Sequence, residues 1–327
     1  MIEGISVIIC CYNSASKLPG ALKHLAAQVT DDTLNWEVIL VNNNSTDDTV
    51  EIAKQLWRSL GSKKNLSIIS ECTPGLSNAR NAGVKAALFD IIVFCDDDNL
   101  LADNYLQRAY ELVCNTAPSG YVIWGGRPIE YFDVDTAIPD WFEKEKENYV
   151  VGEQGIVSGD ISNRGYVWGA GMVILKALYL KIINQQLPTL LNDRTGVVLS
   201  SGGDSEISLR MLIAGYKLYY DENLILKHYI SKEKLTKEYN NELISGFRSA
   251  NLLLNKYKIF IHYISNRNFL HRLYYSCIYS AKYFLSIAGL RSLTDHDTTV
   301  LGALFQNRFH DTDFDLMRSI LRLRNKT

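Results

Sequence analysis

The alternation within the first hundred residues constrains the fold more than any other feature. Four apolar runs, "ISVIICCYN" (5–13), "WEVILVNNNS" (36–45), "LSIISE" (66–71) and "DIIVFCDDD" (90–98), are separated by stretches with helical spacing. Short apolar runs that end in polar residues read as buried strands, and Leu18, Ala21, Leu22 and Leu25 repeat as one face of a helix over 17–29. A second helix starts in "STDDTVEIAKQLWRSLG", with Ser45 or Thr46 as cap and Asp47 and Asp48 near its positive end, and a third covers 75–88. Strands alternating with helices predict a parallel sheet covered on both faces. Ligands of such sheets bind beyond the carboxyl ends of the strands. Tyr12-Asn13, Asn42-Asn43-Asn44 and Asp96-Asp97-Asp98 all fall there.

Further along, 103–117 reads as a helix and 121–132 as a strand in which Gly125-Gly126 marks a bend or a close backbone approach. Residues 133–165 are irregular, and 167–182 runs from a glycine-rich turn into a strand or a helix. "GGDSEISLRMLIAG" (202–215) opens on glycines and continues as a helix that stops at Gly215, followed by an extended segment to His228. Beyond about 232 the pattern is mainly helical and rich in tyrosine, with a basic end.

Composition narrows the classes. With 47% hydrophobic and 21% charged residues the chain is an ordinary globular protein, and a net charge of −2 gives no footprint for nucleic acid. The 6 cysteines include no CxxC pair and read as small buried hydrophobes in a reducing, cytoplasmic compartment. There is no basic leader, and the nearest candidate span, 269–290, contains Arg272 and Lys282, so a soluble or interfacial helix is expected there. Its tyrosines and basic groups fit a helical cap, a homodimer contact or a peripheral surface on the inner face of the cell membrane.

The carboxylates carry the chemistry. Three adjacent aspartates at the end of a buried strand repel one another unless a cation neutralises them. Asp96 and Asp98 alternate and can face one ion. Hard oxygen ligands select Mn²⁺ or Mg²⁺, whose shells are commonly completed by phosphate oxygens. Asp204 and Glu206 follow two glycines near a helix start, where a carboxylate is either a capping group or a general base for a hydroxyl nucleophile. His228 is a structural histidine, a third metal ligand or a diphosphate contact.

At this point the ordered blocks "VIICCYNSASKL", "WEVILVNNNSTDDT", "PGLSNARNAGVKAA" with "IIVFCDDDN", and "WGAGMVILK" with "GGDSEISLRMLIAGYKLYY" resemble the inverting family 2 glycosyltransferases, over roughly residues 5–230. The resemblance implies a GT-A fold, an α/β Rossmann-like doubly wound mixed sheet, here with a C-terminal helical extension. It implies a nucleotide-sugar-binding half (1–100), an acceptor-binding and catalytic half (101–231) and the helical extension (232–327). Tyr12, Asn13, Asn42, Asn44, Arg80, Asp96 and Asp97 would bind the nucleotide sugar. Asp98, with Asp96 and His228, would bind the metal, Asp204 would be the base, and Trp168, Gly169, Ala170 and Glu206 would face the substrate. The family often carries aspartate at the position of Asn42 and glutamate at that of Gly203, so the uracil-reading contact and the neighbour of the base differ here. The expected donor is a nucleoside-diphosphate sugar, UDP before GDP or dTDP. The expected acceptor is a glycan or lipid-linked hydroxyl of surface polysaccharide synthesis. The competing readings are a catalytically silent sugar-nucleotide-binding protein and a nucleotidyltransferase.

Overall fold

The computed structural model describes residues 2–184, 186–191, 202–265, 269–305 and 311–324. In chain order the elements are β1 (Gly4–Cys11), α1 (Leu18–Ala26), β2 (Asn35–Asn42), α2 (Thr49–Ser59), β3 (Leu66–Ser70), α3 (Leu76–Ala86) and β4 (Ile91–Asp96). Then come β5 (Asn99–Leu101), α4 (Tyr105–Thr116), β6 (Tyr121–Tyr131), α5 (Phe142–Glu145), β7 (Gly159–Asp160), β8 (Val173–Leu175), α6 (Lys176–Ile182), α7 (Gly203–Ile213) and β9 (Lys217–Tyr229). The helices α8 (Lys237–Phe260), α9 (Phe269–Ile287), α10 (Asp295–Leu304) and α11 (Thr312–Arg324) complete the described chain.

All nine strands form one mixed sheet in the order β3-β2-β1-β4-β8-β6-β9-β5, with β7 on β9. The four strands expected from the alternation are parallel neighbours, with Ile8 opposite both Ile39 and Phe94. From β8 onward the directions mix: β8 runs antiparallel to β4 and β6, whereas β6 and β9 are parallel. The register of β6 on β9 shifts between Gly125 and Arg127, where the glycine pair sits. The ambiguous segment 167–182 contains both elements, β8 leading directly into α6.

Period-two alternation splits the core between the two faces of the sheet. Ile5, Val7, Ile9, Val38, Leu40 and Val93 meet α1, α2 and α4 on one face. Ile8, Ile39, Val41, Ile92 and Phe94 meet α3, α6, α7, α8 and α11 on the other. The second helix begins later than expected. Neither Ser45 nor Thr46 caps it; α2 starts at Thr49, whose N–H donates to the Asp47 carboxylate (3.1 Å), and that carboxylate also accepts from Ala15 N (3.0 Å). The cysteines also depart from expectation: Cys11 and Cys95 are buried and Cys10 is half-buried, but Cys72, Cys114 and Cys277 are exposed.

Polar contacts join the C-terminal helices to α7 and to one another. The Tyr257 hydroxyl of α8 donates to Glu206 of α7 (2.8 Å), and Lys256 pairs with Asp311 (2.8 Å) and Asp313 (2.7 Å) at the start of α11. Lys282 of α9 reaches Asp297 of α10 (2.7 Å), which also closes a capping box with Thr294. No helix among the described residues is long and apolar enough to cross a membrane.

Candidate active site

A cleft of about 860 Å³ opens at the carboxyl ends of β1, β2 and β4. Its walls are Tyr12 and Lys17 after β1, Asn43 and Asn44 after β2, the first turns of α3, Asp96–Asp98 after β4, the turn 165–170, the start of α7, the end of β9 and one side of α8. The three polar strand ends singled out in the sequence therefore share one cavity.

Within the asparagine triplet, Asn43 and Asn44 line the cleft. The Asn43 amide donates to Glu71 O (2.8 Å) and Thr73 O (2.7 Å) and accepts from Gly75 N (2.9 Å), which fixes the entry to α3. Asn42 and Asn13 lie off the cleft wall and tie loops together. Asn42 accepts from Ser45 N (3.0 Å), and Asn13, with φ of 51°, accepts from Thr46 N (2.8 Å). Tyr12 lies on the wall and is 52% exposed.

The start of α7 carries Asp204. Gly202 precedes it at φ of 111°, a conformation that favours glycine. One carboxylate oxygen of Asp204 accepts from Gly169 N (2.7 Å), the other from Ser205 N (2.8 Å). The helix start favours its ionised form. The Ser208 hydroxyl links the Asp204 carbonyl (2.9 Å) to Val167 N (3.1 Å), and Gln154 accepts from Trp168 N (2.8 Å) and from the Arg164 guanidinium (2.7 Å). The turn 165–170 is thus braced from two sides. Trp168 lines the cleft with its ring 4.5 Å from the Arg164 guanidinium, and Ala170 lies beside it.

Arg80 is buried, with its guanidinium 5.1 Å from the Phe94 ring. A Cβ on Gly169 would stand 2.7 Å from Arg80 Nη2 and 3.4 Å from Asp204 Oδ2. Gly169 therefore lets a cation and a carboxylate approach the same backbone atom. Gly169→Ala is expected to lower turnover at least tenfold through displaced groups while leaving the thermal midpoint within a few degrees; steady-state kinetics beside a thermal melt checks this.

Glu206 does not line the cleft. Its carboxylate is fully buried and accepts from Arg210 Nε (3.0 Å) and Nη2 (2.7 Å), the Tyr257 hydroxyl (2.8 Å), Leu190 N (2.8 Å) and Leu191 N (2.9 Å). Both carboxylate oxygens are thus engaged in structural bonds in the interior.

The aspartate cluster is built by pairing of β5 with β9, which sets Asn99 opposite His228 and brings the histidine beside Asp98. His228 Nε2 lies 3.5 Å from one Asp98 oxygen, and Lys234 Nζ lies 3.1 Å from the other. Burial opposes ionisation of Asp98, but His228 and Lys234 hold its carboxyl well below the usual range. Burial and the Asp98 charge push Asp97 up to about 6, with Lys17 opposing. A raised carboxyl contributes stability below its ordinary value and loses it as pH rises through about 6, so the ionised cluster calls for positive charge near neutrality.

Among the described residues no three His, Cys, Asp or Glu side chains converge as a ready metal cluster. The donor chemistry nevertheless fits a hard divalent cation. The Asp96 carboxylate has no hydrogen-bond or ion-pair partner among the described residues and Asp96 lines the cleft, Asp98 faces His228, and His228 Nδ1 is buried without a hydrogen bond. Mg²⁺ needs only one or two carboxylates when phosphate oxygens and water supply the rest. Sequence reasoning missed Lys17, Lys234 and the α8 wall, and from the asparagine triplet it picked Asn42 and Asn44 where Asn43 and Asn44 line the cleft. Lys17 stands in the polar loop after β1 and was legible by position. Lys234 and α8 reach the cleft only through tertiary contacts.

Comparison with known proteins agrees with this architecture. The family model described as "Glycosyl transferase family 2" matches residues 6–179. An uncharacterized glycosyltransferase of Nostoc sp., alr2836, is 33% identical over 108 residues, 33% of this chain and 32% of that protein. The uncharacterized glycosyltransferase EpsJ of Bacillus subtilis is 32% identical over 111 residues, 34% of this chain and 30% of that protein. The match thus takes in about a third of the length of these relatives. The crystal structure of S. aureus TarS 1-349 in complex with UDP-GlcNAc superposes with a TM-score of 0.53 at 15% identity, covering 99% of this chain and 92% of that one, a likeness of fold. Carried by the family match over more than half of its length, the chain belongs to glycosyl transferase family 2.

Proposed function

We propose that the protein transfers a sugar from a nucleoside-diphosphate sugar to a hydroxyl of a glycan or lipid-linked acceptor, inverting the anomeric centre. The observation that carries this is the placement of Asp204, pinned by Gly169 N–H at 2.7 Å, in the same cleft as Asp96–Asp98, Arg80 and Lys17. One side offers a fixed base, the other the charges that a diphosphate requires.

Asp204 takes the proton of the acceptor hydroxyl as it attacks the anomeric carbon opposite the departing diphosphate. Arg80 and Lys17 face the leaving group's negative charge, and Arg80 suits phosphate through its planar fork. Asp96, Asp98 and His228 would hold Mn²⁺ or Mg²⁺, which supplies Lewis-acid stabilisation of the leaving diphosphate when bound. Tyr12, Asn43 and Asn44 line the end suited to the nucleotide. UDP is the first donor to test, since TarS is described in complex with UDP and UDP-GlcNAc. Trp168 and Tyr166 give the acceptor side aromatic surface. Proton NMR of the sugar released by slow donor hydrolysis tests the stereochemistry before mutarotation. The inverted anomer is expected, and the retained anomer would exclude a single displacement.

The lipid-linked acceptor is favoured by α9. Leu270, Leu273, Tyr274, Cys277, Phe284 and Leu285 are exposed at helical spacing, the helix holds no carboxylate, and Arg272 and Arg291 are exposed near its ends. Such a face suits an anionic bilayer surface. The protein is expected to float with vesicles containing anionic lipid and not with neutral ones, and Phe284→Glu with Leu273→Glu to abolish flotation. Flotation unaffected by both changes would show that α9 is not the membrane-facing surface.

A further inference from the structure

The Asp98 carboxylate is already neutralised by the protein itself. Lys234 Nζ sits 3.1 Å from Oδ2, and the side chains of Lys234 and Asp98 are 20% and 11% exposed. The lysine's backbone is anchored. Lys234 N donates to Ser231 O (3.0 Å), and its carbonyl accepts from the Tyr149 hydroxyl (2.9 Å). Tyr149 is in turn packed against Phe142 and Tyr239, at ring-centroid distances of 5.3 and 6.0 Å. A fixed Cα and a flexible four-carbon stem make the ammonium a charge on a tether. Lys234 lines the cleft together with Arg80 and Lys17, so the space the donor's diphosphate would enter is within the same cavity.

An ammonium on Asp98 and a divalent cation on Asp98 compete, because the two positive charges repel each other at this range. We propose that Lys234 is a tethered counter-cation that holds Asp98 while the cleft lacks donor and passes to the diphosphate when donor and metal enter together. This rests on the donor-and-metal reading given above. It makes the metal's affinity depend on the nucleotide and, by linkage, the nucleotide's on the metal. The protein then avoids holding a bare divalent ion, and Lys234 adds its charge to the leaving group after leaving Asp98.

The test uses the full chain, with Mn²⁺ alone and then UDP at saturating Mn²⁺ as probes. Free Mn²⁺ is read by electron paramagnetic resonance and UDP binding by calorimetry. Lys234→Met is expected to bind Mn²⁺ alone roughly tenfold more tightly than wild type, because the competing charge is gone. It is expected to bind UDP roughly tenfold more weakly at saturating Mn²⁺, because a phosphate-facing charge is gone. Lys234→Arg keeps the charge and is expected to return both values toward wild type; Lys234→Gln repeats the Met variant with a polar side chain should Met disturb the turn. Equal Mn²⁺ affinity in wild type and the neutral variants overturns the proposal while leaving the metal reading intact. Unchanged UDP affinity overturns the transfer of Lys234 to the diphosphate. No Mn²⁺ binding by any of these proteins, with or without UDP, overturns both the proposal and the metal reading.

Discussion

Asp204→Asn lowers donor turnover about thousandfold, the range expected when a positioned general base is removed. Asparagine keeps the size of the side chain and an oxygen able to accept from Gly169 N, at 2.7 Å in the native protein, so the turn 165–170 stays in place. The nucleotide-facing residues lie on other elements, and UDP affinity is expected to remain at the wild-type value. Kinetics and calorimetry on one preparation check both halves. Loss of binding together with turnover would make Asp204 a structural cap of α7, the plainer role open to any aspartate at a helix start.

Glu206→Gln is expected to cost about 3–5 kcal/mol of stability, the range for breaking a buried ion pair from one side. Glu206 and Arg210 are both fully buried, and the pair knits α7 to α8 and to the 187–191 segment through Tyr257, Leu190 N, Leu191 N and the Leu187 carbonyl. The neutral amide leaves Arg210 charged without a carboxylate in a site that excludes water. Urea denaturation of wild type and variant reads the difference, and a shift under about 1 kcal/mol, the range of an exposed pair, would contradict this picture. The two acids thus separate by kind of loss: Asp204→Asn in rate, Glu206→Gln in stability.

The separation of Asp204 from Glu206 illustrates where sequence reading stops. Two residues apart on one helix, both acids follow the glycine turn, and nothing local distinguishes them. Only the tertiary position of Tyr257, Leu190 and Leu191 assigns Glu206 to the interior. The parallel half of the sheet was legible because β1, β2 and β4 are buried on both faces and read as continuous apolar runs, with the half-buried β3 at the edge. The meeting of strand ends followed from that topology. In the second half β6, α7 and β9 were legible, but the sheet order was not, because β5, β7 and β8 have 3, 2 and 3 residues, too short to show a period. The asparagine triplet shows the limit at single-residue scale. Loop geometry turns Asn43 and Asn44 to the cleft and Asn42 into a local turn. Lys234 sits in "SKEKL", which reads as a solvated surface turn until β9 carries the chain past Asp98.

The central claim is that this cleft turns over a sugar nucleotide. Release of nucleoside diphosphate from UDP-, GDP- and dTDP-sugars, with Mn²⁺, Mg²⁺ or EDTA, tests it most directly. Slow release is expected from one donor class, UDP first, supported by Mn²⁺ or Mg²⁺, abolished by EDTA and lost in Asp98→Asn. No release and no calorimetric binding for any donor in the presence of metal would contradict it.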